Sequence, residues 1–236
     1  MKNLTKKKRK VTINKTPQIP MDWGHTPSFK SADFLTLECN AEAVAQLERW
    51  PNWGLHAMAL VGPEGAGKTH LARAWAARAG AVGFTADSDL ASLPEGVCLF
   101  VDDAEDSDIS DDTLFHLYNW TKETGGSLLF TGRRAPNLWD KKLPDLASRL
   151  ATLPVASIGS PDERMLSIVL LKQFSDRQLY INPNVLDYII LHMPRSFSAA
   201  RAIVERLDQF TLANKRKMTI PVVKEVLTGL EGFDEE

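Results

Sequence analysis

Residues 62–69 have the composition and spacing of a loop that binds phosphate groups. They match the pattern G-x-x-x-x-G-K-[ST], directly after an apolar run and directly before a helical pattern. Glycines let backbone N–H groups close around a β-phosphate, and the positive end of the following helix favours the same anion. A plain strand-to-helix turn has no need of Lys followed by Thr. We therefore expect ATP or ADP with Mg²⁺, with Lys68 on the β- and γ-phosphates and the Thr69 hydroxyl on the ion. The expected nucleotide contacts are Gly62, Pro63, Glu64, Gly65, Ala66, Gly67, Lys68, Thr69 and His70.

Two carboxylates follow the apolar run 97–101 and supply what the second half of such a site needs. Asp102, 34 residues after Lys68, would hold Mg²⁺ through water, and Asp103 could polarise the attacking water. Glu105 is close enough in sequence to compete with Asp103 for that second role.

Two further residues allow both a chemical and a structural interpretation. Thr131 ends the next apolar run, where its hydroxyl could sense a γ-phosphate or position water, or could simply close a strand before Gly132. Arg149 stands among apolar neighbours in 143–150. It is either a surface ion-pair partner or a finger donated to the nucleotide of a neighbouring subunit, where it would offset transition-state charge.

The elements that must position these residues alternate between strands and helices. Continuous apolar runs predict buried parallel strands over 56–61, 97–101 and 127–131. Helices are predicted between them, over 68–79 and over 111–124, the second capped by Ser110 and ended by Gly125. Strands separated by helices imply a parallel sheet covered on both faces. The interval 70–96 has room for about one more strand.

The two ends of the chain have a different character. Residues 1–35 are polar and interrupted by prolines, which indicates an extended arm. A helix over 41–50 should follow, capped by Asn40. From about residue 160 only helices are predicted. They cover about 161–178, opened by a capping box at Ser160 with Pro161 as its first helical residue, then 183–192, 197–214 and 221–229. The expected division is an arm at 1–35, a nucleotide-binding α/β domain at 36–158 and an all-helical lid at 159–236.

The net charge of −2 conceals an uneven distribution. Residues 1–15 hold seven basic and no acidic residues, which leaves 21 basic against 30 acidic residues, or −9, for the remainder. An acidic body is poorly suited to following DNA phosphates. The run Lys6–Lys10 is either a solvated tail or a contact for nucleic acid or an acidic partner. Without an apolar run of membrane length or a signal peptide, the protein is expected in the cytoplasm.

The order of these motifs resembles the DnaA-related AAA+ family, and within it the Hda regulators of bacterial replication initiation. The resemblance covers about residues 16–230. It implies a P-loop AAA+ parallel sheet flanked by helices and followed by a small all-helical lid, with Thr131 as first sensor and Arg149 as arginine finger. The family's second sensor is an arginine, but alignment of the lid's apolar positions puts Ser198 there, with Arg195 and Arg201 each three residues away. The specific stretches are 114–119, 128–132, 143–150 and 219–227.

The hexapeptide 18–23 is similar to the sliding-clamp motif of Hda-like proteins. In an extended arm the side chains of Ile19, Met21 and Trp23 point to one side and can fill an apolar groove, while Gln18 hydrogen-bonds at its rim. Because the sequence stops soon after the predicted lid, we expect it to lack the DNA-binding domain that DnaA-like initiators carry.

The resemblance implies a clamp-associated regulator that promotes hydrolysis of ATP bound to DnaA, and so restrains initiation. DnaA and the polymerase sliding clamp would be its partners, without sequence-specific DNA binding or a membrane, and with a homo-oligomer as an option. Its own ATPase activity would be weak or dependent on the partner. The rival interpretations are a DNA-binding initiation or helicase-loading ATPase, which would use the basic tail, and a small-molecule kinase built on the same loop.

Overall fold

The computed structural model describes residues 36–214 and 216–228, and its centre is a parallel sheet of five strands. The order across the sheet is β2-β3-β4-β1-β5, and every neighbouring pair is parallel. The predicted clamp motif at 18–23 and the run Lys6–Lys10 lie outside the described residues. The strands are β1 (Ala57–Val61), β2 (Val82–Gly83), β3 (Leu99–Val101), β4 (Leu128–Gly132) and β5 (Val155–Ser157).

Helices cover the sheet and form the C-terminal part of the described chain. They are α1 (Glu38–Glu48), α2 (Lys68–Ala79), α3 (Asp111–Thr124), α4 (Pro144–Leu150), α5 (Glu163–Asp176), α6 (Pro183–His192), α7 (Phe197–Asn214) and α8 (Ile220–Thr228). The predicted bounds of α2, α3, α6 and α7 are confirmed, as are the Ser110 cap and the Gly125 stop of α3. None of the helices described is both long and apolar enough to cross a membrane.

Both faces of the sheet are buried, as the continuous apolar strands predicted. Alternate residues of β1 point to opposite faces: Met58 and Leu60 pack in one cluster with Trp75 of α2, whereas Ala59 packs in another with Leu117 of α3. At about 25 cal/mol per Å², burial of such side chains is the main favourable contribution to folding. The sheet is therefore a well-packed support for the loops at the ends of its strands.

Helices α5–α8, which we call the lid, have an apolar core of their own. It includes Leu166, Ile189, Val204 and Val223. Two lid residues, Met165 and Phe197, belong instead to the cluster that holds α1, α2 and one face of the sheet. The lid thus joins the rest of the structure at the first turns of α5 and α7.

Two predicted helix caps are wrong. Asn40 does not begin α1 but is its third residue, and its Oδ1 accepts a hydrogen bond of 2.8 Å from the Leu37 N–H. The side chain thus reaches back to the residue before the helix. Likewise Ser160 does not cap α5; Asp162 does, with Oδ1 accepting from the Met165 N–H at 2.6 Å. A cap prefers Asp at least as strongly as Ser, so the nearer carboxylate takes the free N–H groups.

The sequence interpretation missed β5 and α4 and placed the edges of other strands too early. β3 begins at Leu99 and β4 at Leu128, each later than the start of its apolar run. β5 has three residues and α4 has seven, which is too short for either periodicity to be recognised. Because α4 carries Arg149, the position of this short helix determines where Arg149 lies.

Candidate nucleotide-binding site

The glycine-rich loop connects the end of β1 with the start of α2. It is anchored to β4 by the Gly62 N–H, which donates to the Gly132 carbonyl at 3.3 Å. Gly65 and Gly67 have φ values of 78° and 87°, in the left-handed region that favours glycine. The first helical hydrogen bond runs from the Leu71 N–H to the Gly67 carbonyl. The N–H groups of the preceding turn have no carbonyl within the helix and remain available to an anion.

The Lys68 ammonium lies across this loop, where phosphates would be held. Its Nζ donates to the carbonyls of Gly62 and Pro63 at 2.8 and 3.0 Å. Partial burial lowers the pKa of Lys68 and the nearby Arg133 acts in the same direction, while the two carboxylates that follow β3 oppose the shift. The bond from Gly62 to Gly132 ties the loop to the end of β4, and β4 pairs with β3, so the loop and the two carboxylates lie at the same end of the sheet.

The Thr131 hydroxyl joins the two carboxylate-bearing residues. Thr131 is fully buried; its Oγ1 donates to Oδ1 of Asp102 at 2.6 Å and accepts from the Asp103 N–H at 2.7 Å. The Ala104 N–H also donates to the Thr131 carbonyl, at 2.8 Å. Three hydrogen bonds to one residue of β4 therefore hold the turn after β3, and we assign Thr131 the role of positioning Asp102.

Asp103 itself has a backbone conformation that is uncommon for a residue with a side chain. Its φ is 51°, and it is exposed, while Asp102 beside it is half-buried. Asp tolerates this region better than most residues, and the bond to Thr131 holds it there. The two neighbouring carboxylates thus differ in environment: one is oriented by a buried hydroxyl, and the other is open to solvent.

Glu105, the other candidate for polarising water, is already occupied. Its Oε2 accepts from the N–H groups of Arg133 and Arg134 at 3.0 Å each, and its Oε1 is bound by Arg134 Nε. Burial by itself raises the pKa of Glu105, but the hydrogen bonds from the two arginines and the Arg134 charge outweigh it and lower the pKa overall. An ionised carboxylate with this many donors is a structural tie between the ends of β3 and β4. Asp103 is the better candidate for the base.

The residues present fit Mg²⁺ bound beside a nucleotide. Mg²⁺ is usually held by one or two carboxylates together with phosphates and water. The Thr69 hydroxyl, in the first turn of α2, would bind the ion directly, and the Asp102 carboxylate would hold it through water. Within the described residues there is no cluster of three or more metal-binding side chains, so a metal site made by the protein alone is not found there.

Replacement of Thr131 by Val tests its positioning role. We expect Thr131→Val to weaken the Mg²⁺-dependent part of ADP binding by about 10–100-fold, as for other groups that orient a metal ligand. Calorimetric ADP titrations with Mg²⁺ and with EDTA measure this part, and Thr131→Ser, which keeps the hydroxyl, is the matched control. Equal Mg²⁺ dependence in Thr131→Val and wild type would contradict the assignment.

The start of α7 lies directly against the phosphate-binding loop. A Cβ at Gly65 would be 3.0 Å from the Cβ of Phe197, the first residue of this helix. Of the three candidates for the second sensor, Ser198 and Arg201 are exposed on α7, and Arg195 forms an ion pair with Glu163 at 2.5 Å. The lid is thus close enough to contact a nucleotide, while Arg195 is already paired across the starts of α5 and α7.

Arg149 lies in the last turn of α4, held against aromatic rings of α3. Its guanidinium carbon is 5.4 Å from the ring centroids of both Phe115 and Tyr118. The sequence interpretation missed these two supports, although their spacing of three residues puts them on one helix face. Stacking on aromatic faces restricts a guanidinium that would otherwise sample many rotamers.

Arg149 is also remote from the loop of its own chain. It lies over the ring of Tyr118, which in turn contacts the His56 ring with centroids 4.4 Å apart. His56 precedes β1 and the loop follows it, so a strand of five residues, about 16 Å, separates the two ends. An Arg149 that acts on a nucleotide would therefore act on one bound to another subunit.

Comparison with known proteins finds similarity in the lid and in the overall fold. Residues 162–227 match the family model described as Hda, lid domain. Domain III of the replication initiation protein DnaA from Thermotoga maritima superposes with a TM-score of 0.66 at 20% identity, over 91% of this chain and 98% of that chain. DnaA from Aquifex aeolicus bound to AMPPCP has a TM-score of 0.59 at 16% identity, over 84% and 68% of the two chains.

A third similar structure is a RuvB mutant from Thermotoga maritima, with a TM-score of 0.59 at 19% identity. The alignment covers 84% of this chain and 71% of that chain. At these identities the solved structures show a shared fold, and the family model adds a similarity of residues 162–227 to the Hda lid domain.

Proposed function

We propose that this chain, a DnaA-related AAA+ protein with an Hda-type lid, promotes hydrolysis of ATP bound to the initiator DnaA. In this role it restrains replication initiation in the cytoplasm, and the polymerase sliding clamp recruits it through residues 18–23. Arg149 is the arginine finger, supplied in trans to the γ-phosphate on DnaA. The chain's own site binds ADP or ATP with Mg²⁺. The bound nucleotide stabilises the conformation in which the protein binds its partner.

The position of Arg149 is the observation that carries this proposal. The side chain is held on two rings and lies at the opposite end of β1 from its own loop. A cation fixed in advance stabilises developing negative charge without the cost of reorganisation during the reaction. A purely structural arginine would gain more from a carboxylate partner than from a position over two rings.

The chain's own site supports nucleotide binding and weak hydrolysis. Lys68 and Thr69 would contact the phosphates and the ion, Asp102 would hold the ion through water, and Asp103 would polarise an attacking water. Thr131 would act as first sensor through its hold on Asp102. The bound ion would supply positive charge to the phosphates, and each of these residues orients a group around it.

A reconstituted reaction tests the proposal. DnaA loaded with ATP is mixed with this chain, ADP, and the clamp loaded on DNA, and the conversion of ATP to ADP is followed. Hydrolysis should accelerate only in the complete mixture. An equal rate without this chain would exclude the proposed function.

The clamp motif provides a separate prediction. Replacement of Gln18, Ile19, Met21 and Trp23 by Ala should abolish clamp binding in surface plasmon resonance, because the apolar anchors and the rim hydrogen bond are lost together. ADP affinity should not change, since the predicted arm precedes the folded core. Phe29→Ala, an aromatic replacement outside the hexapeptide, is the control. Wild-type clamp affinity in the quadruple variant would rule the motif out.

A DNA-binding initiation or helicase-loading ATPase is the second candidate. One similar structure, with a TM-score of 0.58 at 18% identity, is the replication initiator DnaA bound to AMPPCP and single-stranded DNA. For this chain the role would depend on the basic segment 1–15. A DNA affinity that falls steeply with salt and disappears on deletion of residues 1–15 would favour this candidate.

A further inference from the structure

A groove in the lid plays no part in the function proposed above. It lies between α6, α7 and α8 and has a volume of about 850 Å³. Its apolar lining includes Met193, Ala202, Ile203 and Leu227, and Leu191 stands at its edge with 78% of its surface exposed. A groove of this size and composition can take an apolar side chain together with the backbone that carries it.

Apart from Tyr188, the ionisable side chains that line the groove all belong to basic residues. They are His192, Arg206 and Lys224, and no acidic side chain is among the lining residues. The His192 ring stacks on Tyr188 with centroids 4.0 Å apart, and Lys224 Nζ lies 5.6 Å from the centroid of the same ring. The groove therefore presents an ordered cationic side next to apolar surface, which suits a segment with carboxylates beside an apolar residue.

The chain itself contains such a segment immediately after the groove. Thr228, the last residue of α8, lines the groove. The next eight residues lie outside the described structure and read Gly229-Leu230-Glu231-Gly232-Phe233-Asp234-Glu235-Glu236. They combine two large apolar side chains, Leu230 and Phe233, with four carboxylates and no basic residue. This pattern is complementary to the groove in both polarity and charge.

We propose that residues 229–236 bind in the groove of their own chain, with Phe233 in the apolar part and the carboxylates toward Lys224 and its basic neighbours. Attachment directly at Thr228 gives the segment an effective concentration in the millimolar range, so even a weak interaction is occupied. Eight residues span at most about 27 Å, and Thr228, to which they are joined, itself lines the groove. The segment thereby covers the exposed Leu191 side chain of α6.

Photo-crosslinking of the full chain tests this contact. Phe233→p-benzoylphenylalanine keeps an aromatic side chain and reacts on illumination with C–H bonds that it touches. Mass spectrometry of the product should map the crosslinks to α6, α7 and α8, at Leu191, Ala202 or Leu227, within one chain. Crosslinks to a second copy, seen as a dimer on a gel, or crosslinks to other surfaces would overturn the proposal.

A charge reversal separates binding from mere proximity. Lys224→Glu in the photoreactive chain should lower the yield of groove crosslinks by about threefold or more, since one attraction becomes a repulsion. Lys172→Glu, an equally exposed lysine on α5 that does not line the groove, should leave the yield unchanged. A yield that is insensitive to Lys224→Glu, or that falls equally in both variants, would show that the groove does not select the segment.

Discussion

Arg149→Ala is expected to lose nearly all stimulation of hydrolysis of DnaA-bound ATP, while it keeps its own ADP and its clamp binding. An arginine placed in trans beside a transferring phosphoryl group contributes about 10³–10⁵ in rate, or roughly 4–7 kcal/mol. An exposed ion pair contributes about 0–1 kcal/mol. Because the difference is so large, turnover of radiolabelled ATP on DnaA distinguishes the two roles directly.

Arg216→Ala is a suitable control for this variant. Arg216 also lies over an aromatic ring, with its guanidinium carbon 5.6 Å from the centroid of Phe210, but it belongs to the lid. The control removes the same charge and the same kind of contact and should leave stimulation unchanged. A loss of less than about tenfold in Arg149→Ala, near 1.4 kcal/mol, would count against the finger role.

Lys68→Ala is expected to remove the stabilisation of the fold by ADP. A ligand that binds only the native state adds about 2.7 kcal/mol when its concentration is 100 times Kd. For a protein of this size that corresponds to a rise in Tm of about 5–10 °C. The Lys68 ammonium donates to two carbonyls of the loop, so its removal takes away a cation that lies where phosphates are expected.

Thermal melts with and without ADP and Mg²⁺ measure this effect. Lys172→Ala, which removes an exposed lysine of the lid, should show the wild-type shift. The assignment of the phosphate-binding loop would be wrong if wild type showed no shift with ADP, or if Lys68→Ala shifted as much as wild type.

The elements that were predictable from sequence carry their signals locally. α3 has its cap, its acidic first turn and its terminal glycine within a few residues, and its predicted bounds are confirmed. The phosphate-binding loop was predictable for the same reason, since its glycines, Lys68 and Thr69 lie within one short stretch of sequence. The start of α5 was misplaced because Ser160 and Asp162 both suit a cap, and only the folded chain selects between them.

The features that were not predictable depend on contacts between distant parts of the chain. The bond from Thr131 to Asp102 joins residues 29 positions apart. The bonds that occupy Glu105 come from the end of a different strand. No local pattern encodes these pairs, because they arise only when β3 and β4 become neighbours in the sheet. The choice between Asp103 and Glu105 as base therefore had to wait for the structure.

The support of Arg149 illustrates the same limit. Its aromatic platform lies on α3, more than 30 residues earlier in the chain, and α4 is too short to be recognised by periodicity. The sequence left two roles open for this arginine. The structure adds its distance from its own loop and its fixed position, which together favour action on a partner's nucleotide.

The action of Arg149 on DnaA-bound ATP is tested most directly by an experiment that follows two nucleotides at once. DnaA is loaded with radiolabelled ATP and this chain with unlabelled ADP, the two are mixed with the clamp on DNA, and the label is resolved over time by thin-layer chromatography. If Arg149 acts in trans, labelled ATP on DnaA becomes ADP at least about tenfold faster with the wild-type chain than with Arg149→Ala. Label that stays as ATP with the wild-type chain, or that is hydrolysed equally with both, would contradict it.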